Sequence, residues 1–245
     1  MKTVLFGATK GMGRALARLM AERGDPLCLL GRATNDLRSS ARDLELRGAA
    51  QPVGTIRCDL SDVSSFAGVL EQAEATLGGI DRVVLTAAVF DTQDRLEEDL
   101  EATHELLSVD FAGSVAFCEA ARRRLLAAGG GTLCAFSSVA GERPRKSVVL
   151  YGAAKAGLSH YLEGLDFRFR PAGLKVVCVK PGFVRTAMTA GLPAPPFAGE
   201  PEAVARVVLR AIDRGDPLVF APPIWRWVML AIRLLPRRVL SRVEF

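Results

Sequence analysis

Hydrophobic positions along the chain follow two alternating patterns. Short apolar runs, several without any polar alternation, are typical of strands that are covered on both faces. Longer stretches with apolar residues at helical spacing separate these runs. The predicted strands are Thr3–Phe6, Leu27–Leu30, Val53–Cys58, Arg82–Leu85, Thr132–Phe136, Lys175–Val179 and Leu218–Phe220. The predicted helices are residues 11–23, 34–47, 62–77, 95–126, 150–168 and 201–213.

The regular alternation of strand and helix predicts the fold class. It indicates an α/β fold with a doubly wound parallel sheet of about seven strands and helices on both faces. No Gly/Ser linker interrupts the alternation, so we predict a single domain over residues 1–223, followed by an amphipathic helix within residues 224–245. Ser61 is the expected N-cap of the helix at 62–77. The irregular segment 187–201 is typical of a loop over a site.

Composition and charge narrow the class of protein. The chain has 245 residues, 49% of them hydrophobic, which excludes a disordered or fibrous protein. Residues 224–245 hold five arginines and one acid, a charge of +4, which leaves only +1 of the total +5 for the rest of the chain. Because a general nucleic-acid binder spreads basic charge over a face, this distribution argues against one.

Cysteine and histidine usage bears on compartment and metal binding. The five cysteines stand singly in apolar segments, which predicts buried thiols in a reducing compartment. With only two histidines, a histidine-rich metal site is excluded, and we predict no metal. Neither a signal peptide nor an apolar span of about 18 residues is visible, which predicts a cytoplasmic protein.

A glycine-rich loop follows the first predicted strand and leads into a helix. In Gly7-Ala8-Thr9-Lys10-Gly11-Met12-Gly13, glycine permits positive φ, and the helix N-terminus offers unpaired N–H groups to a pyrophosphate. This context predicts a dinucleotide site of Rossmann type, with a plain tight turn as the alternative. The second strand ends at Arg32, without the acid of NAD-preferring folds. Arg32 and Lys10 therefore favour NADP(H) over NAD(H), unless both are simply solvated charges.

Three polar residues further along the chain complete a recognisable set. Tyr151 and Lys155 are four residues apart on a predicted helix and share one face, and Ser138 follows the fifth strand. With the glycine loop and the segment Lys180-Pro181-Gly182-Phe183-Val184-Arg185-Thr186, this set resembles the short-chain dehydrogenase/reductase family. The four motifs stand in the family's order and span the chain from residue 3 to about 220.

The resemblance implies a reaction and assigns roles. It implies hydride transfer between NADP(H) and a carbonyl or alcohol, with Tyr151 as general acid/base, Ser138 holding the carbonyl oxygen and Lys155 lowering the pKa of Tyr151. It also implies a homodimer or homotetramer formed through the helices at 95–126 and 150–168. The implied cofactor-binding residues are Gly7, Thr9, Lys10, Gly11, Met12, Gly13, Arg32, Asp59, Leu60, Ala87, Tyr151, Lys155, Pro181, Gly182, Val184 and Thr186.

The chain departs from the family pattern at three places. Phe6 replaces a threonine before the first glycine, and Leu85-Thr86-Ala87-Ala88 replaces Asn-Asn-Ala-Gly. Asp110 stands where a catalytic asparagine normally positions a water near the lysine. An ionised Asp110 near Lys155 would favour the charged lysine, so we count Asp110 as a fourth catalytic candidate.

The tail and the loop before Tyr151 bear on the substrate. Arg143, Arg145 and Lys146 lie in a loop that borders the substrate mouth in this family. Arg226 and Arg233 lie seven residues apart in an apolar helix that suits a membrane interface, a neighbouring subunit or a cover over the pocket. The second half resembles one branch of the family, the reductases of decaprenylphosphoryl-2-keto-ribose. That branch implies an amphipathic carbonyl substrate, such as a polyprenylphosphoryl 2-keto-pentose, met at the inner face of a membrane.

Other functions stay open at this point. A reductase of soluble ketones or fatty 3-keto compounds fits the same catalytic set. A cofactor-sensing protein without significant turnover, or a peripheral membrane scaffold, would keep the fold but use it differently.

Overall fold

A seven-stranded parallel sheet forms the centre of the molecule. The computed structural model describes residues 1–240 and 242, and of Gln51 only the backbone. Strand order across the sheet is β3-β2-β1-β4-β5-β6-β7, with every neighbouring pair parallel. The strands are β1 Thr3–Phe6, β2 Pro26–Gly31, β3 Ala50–Arg57, β4 Arg82–Leu85, β5 Gly131–Phe136, β6 Leu174–Pro181 and β7 Leu218–Ala221.

Helices connect the strands and cover both faces of the sheet. Residues of β1 alternate between two cores: Leu5 packs with the cluster under α1, α2 and α8, and Val4 and Phe6 pack with the cluster under α3, α6 and α7. The helices are α1 Gly11–Ala21, α2 Thr34–Leu46, α3 Phe66–Leu77, α4 Gln93–Glu98, α5 Leu100–Leu107, α6 Ser114–Ala127, α7 Val149–Phe169, α8 Pro201–Arg214, α9 Trp225–Leu234 and α10 Arg237–Leu240. The predicted Rossmann-type fold is confirmed.

Strand order reverses between β1 and β4, and this point sets the place of the site. From β1 the chain builds β2 and β3 on one side of the sheet, and it then crosses over to build β4 and the later strands on the other side. The connections after β1 and β4 therefore diverge, and a crevice opens at the carboxyl ends of these two strands. The glycine loop follows β1 and residues 86–89 follow β4, so both border this crevice.

Two helix predictions are wrong in detail. Ser61 does not cap a helix: a 3₁₀ turn, Val63–Ser65, precedes α3, and both the N–H and the hydroxyl of Ser61 donate to Asp59 Oδ1, at 3.0 and 2.7 Å. The helix predicted at 95–126 is not continuous, because Asp99 ends α4 and caps α5 by accepting from two backbone N–H groups. A π-helical turn, Ser108–Gly113, then joins α5 to α6.

The tail packs on the body of the molecule. Trp225 and Met229 of α9 are buried in a small cluster with Val139, which follows β5. Among the described residues, no helix is long and apolar enough to cross a membrane. Of the extension predicted at 224–245, residues 241 and 243–245 lie outside the described part of the chain.

Candidate active site

The glycine loop is held in a conformation that glycine alone allows. Gly7 and Gly11 have positive φ, +96° and +53°. A Cβ atom on Gly13 would overlap the carbonyl oxygen of Gly7 and the side chain of Thr86. The Thr86 hydroxyl donates to the carbonyl oxygens of Phe6 and Gly7, at 3.1 and 3.0 Å. The loop is therefore tied closely to the end of β4.

A cleft of about 360 Å³ opens over this loop. It brings together most of the sequence-predicted cofactor residues: Gly7, Thr9, Lys10, Gly11, Met12, Gly13, Arg32, Asp59, Leu60, Ala87 and Thr186. The remaining predicted residues lie outside its lining: Tyr151, Lys155, Pro181, Gly182 and Val184. The predicted set thus divides into a part around the glycine loop and a part around Tyr151.

Charged residues stand at the end of the cleft near β2. Arg32 Nη1 lies 3.9 Å from Glu105 Oε1, and Lys10 Nζ lies 3.5 Å from Asp36 Oδ2. All four side chains are largely exposed, so these ion pairs are weak and can open for a ligand. Asp36 also lines the cleft, which the sequence reasoning did not foresee.

Asp59 follows β3 and lines the same cleft, and its side chain is held as a carboxylate. Burial alone would raise its pKa, but the two hydrogen bonds from Ser61 and the charges of Arg32 and Arg57 lower it. Its Oδ1 is therefore occupied by its own loop, while the residue still faces the cleft.

Ser138 and Tyr151 meet beside the cleft. Ser138 follows β5, and its Oγ accepts the backbone N–H of Ala140 at 3.1 Å, while its side chain is near enough to Tyr151 to lower the pKa of the phenol. Tyr151 stands in the first turn of α7, with the Phe90 ring edge-on to it at 5.1 Å between centroids. Phe90 thus fixes the plane of the phenol, a contact that no motif in the sequence signals.

Behind Tyr151 lies a buried ion pair. Lys155 Nζ is 3.1 Å from Asp110 Oδ2, and the two side chains are 2% and 0% exposed. Asp110 Oδ1 accepts the backbone N–H of Val89 at 2.8 Å, and Lys155 Nζ donates to the carbonyl of Phe136 at 3.4 Å. The same Nζ lies 5.6 Å from the centre of the Tyr151 ring. The sequence-based expectation that Asp110 approaches the lysine is thus met in the geometry.

Burial and this ion pair set the protonation of the group. Burial raises the pKa of Asp110, although Lys155 opposes the rise. Burial alone would lower the pKa of Lys155, but the neighbouring acidic groups, Asp110 first and then Tyr151, together outweigh it and the pKa is raised. Burial also raises the pKa of Tyr151, with Asp110 adding to the rise and Lys155 and Ser138 opposing it. The contribution expected of Lys155, a lowering of the Tyr151 pKa, is therefore present, but burial outweighs it among the protein groups.

The mouth of the site is built from loops and the tail. Arg143 of the basic loop donates to the carbonyl oxygen of Leu235 at 2.7 Å, so it holds the end of α9 rather than facing solvent. Trp225 lies against Gly182, where a side chain would overlap the indole ring. The inner face of α9 therefore packs on the loops that follow β5 and β6.

A second cavity lies beside the cleft. It has a volume of about 490 Å³ and shares Thr186 and Ala187 with the cleft. Its lining is Phe183, Arg185, Thr186, Ala187, Thr189, Ala190, Leu192 and Ala194, which is mostly apolar with one cation. Most of these residues belong to the irregular segment that the sequence placed over the site.

Comparison with known proteins agrees with this geometry. The family model described as short chain dehydrogenase matches residues 2–195. An uncharacterized oxidoreductase of Mycobacterium tuberculosis is 33% identical over 240 residues, 98% of this chain and 96% of that protein. Cis-4-hydroxycyclohexanecarboxylate dehydrogenase of Sinomonas cyclohexanicum is 33% identical over 195 residues, 78% of this chain and 76% of that protein.

A solved structure gives the same answer. The crystal structure of a short-chain type dehydrogenase/reductase from Mycobacterium marinum superposes with a TM-score of 0.81 at 25% identity, over 89% of this chain and 92% of that one. These matches bear on the family, and the narrower resemblance to decaprenylphosphoryl-2-keto-ribose reductases stays a prediction. The chain is an NAD(P)(H)-dependent oxidoreductase acting on CH–OH or C=O groups, and it belongs to the short-chain dehydrogenase/reductase family.

Proposed function

We propose that this protein reduces a ketone to a secondary alcohol with NADPH, using Ser138, Tyr151 and Lys155 as its catalytic set. The observation that carries the proposal is the position of Tyr151: Ser138 and Lys155 both lower the pKa of its phenol, and Lys155 Nζ, paired with Asp110, lies 5.6 Å from the centre of its ring. A phenol in that position is supplied with a hydrogen-bond partner and with an adjacent cation. Both stabilise the negative charge that develops when it gives up a proton.

The residues of the cleft fit a dinucleotide. A Cβ on Gly7 or Gly13 would clash with Thr86, so glycine lets the loop pack closely on the end of β4, and the following N-terminus of α1 presents backbone N–H groups to a pyrophosphate. Asp59 and Leu60 would hold the adenine end, and Thr186 would seat the nicotinamide carboxamide. Bound there, NADPH supplies the hydride that reaches the carbonyl carbon.

The side chains then handle the proton. Tyr151 donates its phenolic proton to the carbonyl oxygen as the C–H bond forms, so that C=O becomes CH–OH and a phenolate remains. Ser138 donates a hydrogen bond to the same oxygen while it carries developing negative charge. Lys155 stabilises the phenolate until a proton from solvent restores the phenol. Because burial and Asp110 favour the neutral phenol, Tyr151 carries the proton that reduction requires near neutral pH.

The preference for NADPH over NADH is part of the proposal. Arg32 and Lys10 both line the cleft at the end of β2, where a 2′-phosphate would lie. A guanidinium forms bidentate hydrogen bonds with phosphate, and the weak, exposed contact of Arg32 with Glu105 is easily exchanged for them.

The second cavity supports an amphipathic substrate. Its apolar lining suits a hydrocarbon part, and Arg185 suits an anionic group. In its narrowest form the proposed substrate is a polyprenylphosphoryl 2-keto-pentose. With that substrate the enzyme would work at the inner face of a membrane, and we propose that it does so as a homodimer or homotetramer. The relative named as a cis-4-hydroxycyclohexanecarboxylate dehydrogenase favours a second candidate, a soluble cyclic ketone that carries a carboxylate.

Turnover of NADPH by the purified full-length chain tests the proposal. Tyr151→Phe should lower kcat for reduction of an accepted ketone by about 10²–10⁴-fold, since it removes the general acid. Tyr161→Phe is the matched control: this second tyrosine of the chain lies on the same helix, with its hydroxyl donating to Glu119 at 2.8 Å, and its loss should leave kcat within about twofold.

The substrate panel separates the candidates. It contains soluble aliphatic ketones, 4-ketocyclohexanecarboxylate, 3-ketoacyl esters and a polyprenylphosphoryl 2-keto-pentose in vesicles. A protein that binds NADPH but shows equal, slow background oxidation in wild type and Tyr151→Phe would be a cofactor sensor, and the proposed reduction would be wrong.

A further inference from the structure

Helix α9 has two apolar faces, and only one of them is covered. The inner face buries Trp225 and Met229 against Val139 and the loops at the mouth. The outer face carries Trp227, Leu230 and Leu234, which are 64%, 45% and 77% exposed. A helix that is apolar all round normally has both faces covered. In the described part of the chain the outer face stays exposed, so it is available to a partner.

The exposed side chains form one stripe rather than scattered positions. Trp227, Leu230 and Leu234 are spaced three and four residues apart, so they project from α9 in one direction. Ile224 before the helix and Val239 in α10 are exposed as well and extend the apolar surface at both ends. A contiguous apolar patch on a surface marks an interaction site.

Positive charge surrounds this stripe. Residues 217–243 contain no acid and five arginines: Arg226, Arg233, Arg237, Arg238 and Arg242. Arg226 and Arg233 are seven residues apart and flank the stripe on one side of α9. Arg233 lies 3.4 Å from Glu142, and the net charge of the segment remains positive because the segment itself contains no acid.

The charge distribution selects among occupants. A second copy docked through the same surface would set five arginines against five, which is repulsive. An anionic lipid surface matches both the apolar stripe and the arginines. Its hydrocarbon can bury Trp227 and the leucines, and its phosphates can pair with the arginines. Tryptophan and arginine also suit the boundary between headgroups and hydrocarbon, because each joins an apolar body to a polar end.

We propose that the outer face of α9 together with α10 docks on the surface of an anionic lipid bilayer. Docking brings the loops of Val139 and Gly182 within one helix diameter of the lipid, because the inner face of the same helix packs on them. The docking itself stands without the proposed reaction. Delivery of an amphipathic ketone from the bilayer rests on the proposed function.

Vesicle flotation with the full-length protein tests the docking. Vesicles of phosphatidylcholine with about one third phosphatidylglycerol should bind the protein at least tenfold more tightly than pure phosphatidylcholine, and added salt should weaken that binding. Trp227→Gln/Leu234→Gln should weaken binding at least tenfold. Leu46→Gln/Val63→Gln removes two exposed apolar side chains far from α9, and should stay within twofold of wild type.

Turnover of a soluble ketone is measured on the same proteins, so that the two proposals fail separately. The α9 variant should keep wild-type turnover, because Trp227 and Leu234 touch neither the cleft nor Tyr151. Loss of vesicle binding with intact turnover supports the docking. Wild-type protein that does not float with anionic vesicles, or an α9 variant that floats as well as wild type, overturns it. A sedimentation mass that drops by half in the α9 variant would also overturn it, in favour of a second copy.

Discussion

The buried pair of Asp110 and Lys155 makes a quantitative prediction about stability. At 3.1 Å and an effective dielectric constant of about 20, the attraction between the two charges is about 5 kcal/mol. The single amide oxygen of Asp110→Asn can accept either the Val89 N–H or a Lys155 N–H, and that one hydrogen bond returns about 1–2 kcal/mol. We therefore expect this variant to lose about 3–4 kcal/mol of unfolding free energy, within the range for breaking a buried pair.

A double-mutant cycle isolates the interaction. Lys155→Met leaves a buried carboxylate and should cost about 3–5 kcal/mol alone. With both changes together, neither charge is stranded, so the double variant should lose little more than one single variant. The resulting coupling energy is about 3 kcal/mol, measured by urea unfolding followed by circular dichroism.

An exposed pair supplies the control for the cycle. Arg185 and Glu200 are 2.7 Å apart but 54% and 58% exposed, so the cycle of Arg185→Gln and Glu200→Gln should give at most about 1 kcal/mol of coupling. A coupling for Asp110 and Lys155 no larger than this would refute the assignment of a tight buried ion pair. As a second readout, Asp110→Asn should retain at least about a tenth of the reductase activity, since an amide can still position Lys155.

Three further predictions concern the reaction and the cradle. Because the pKa of Tyr151 is raised, kcat/KM for reduction at saturating NADPH should stay level to about pH 9. The rate of alcohol oxidation should instead rise with pH. A reduction rate that already falls near neutral pH would contradict this. Arg32→Ala should raise KM for NADPH about tenfold to a hundredfold and leave KM for NADH unchanged. The control is Arg38→Ala, at an exposed position on α2 outside the cleft lining, which should change neither KM. Gly13→Ala should abolish NADPH binding by calorimetry, whereas Gly164→Ala, in the open on α7, should bind normally.

Much of the fold could be predicted because its signals are local. The bounds of β1 and β4 match the prediction, since both strands are short, buried on both faces and ended by the turns at Gly7 and Thr86. The break between α4 and α5 could not be predicted from periodicity. It depends on the side chain of Asp99 turning back to cap the next helix, and aspartate is equally common on exposed helix surfaces.

The candidate site divides in the same way. Tyr151 and Lys155 were found because four residues along a helix set two side chains on one face. The partner of the lysine was foreseen only as a hypothesis, because Asp110 reaches it from a π-helical turn that no spacing predicts. The contact of Trp225 with Gly182 joins two segments far apart in the chain, so it depends on tertiary packing that a single sequence does not encode locally.

The position of the two tryptophans gives the protein an intrinsic optical reporter. Trp225 and Trp227 are the chain's two tryptophans, and both lie on α9, one buried at the mouth and the other facing outward. Intrinsic fluorescence excited at the indoles therefore reports on this helix alone. The absorption band of reduced nicotinamide overlaps indole emission, so quenching by energy transfer would register cofactor loading, and a blue shift of the outer indole would register transfer to a less polar medium. One unlabelled sample can thus follow both events in real time.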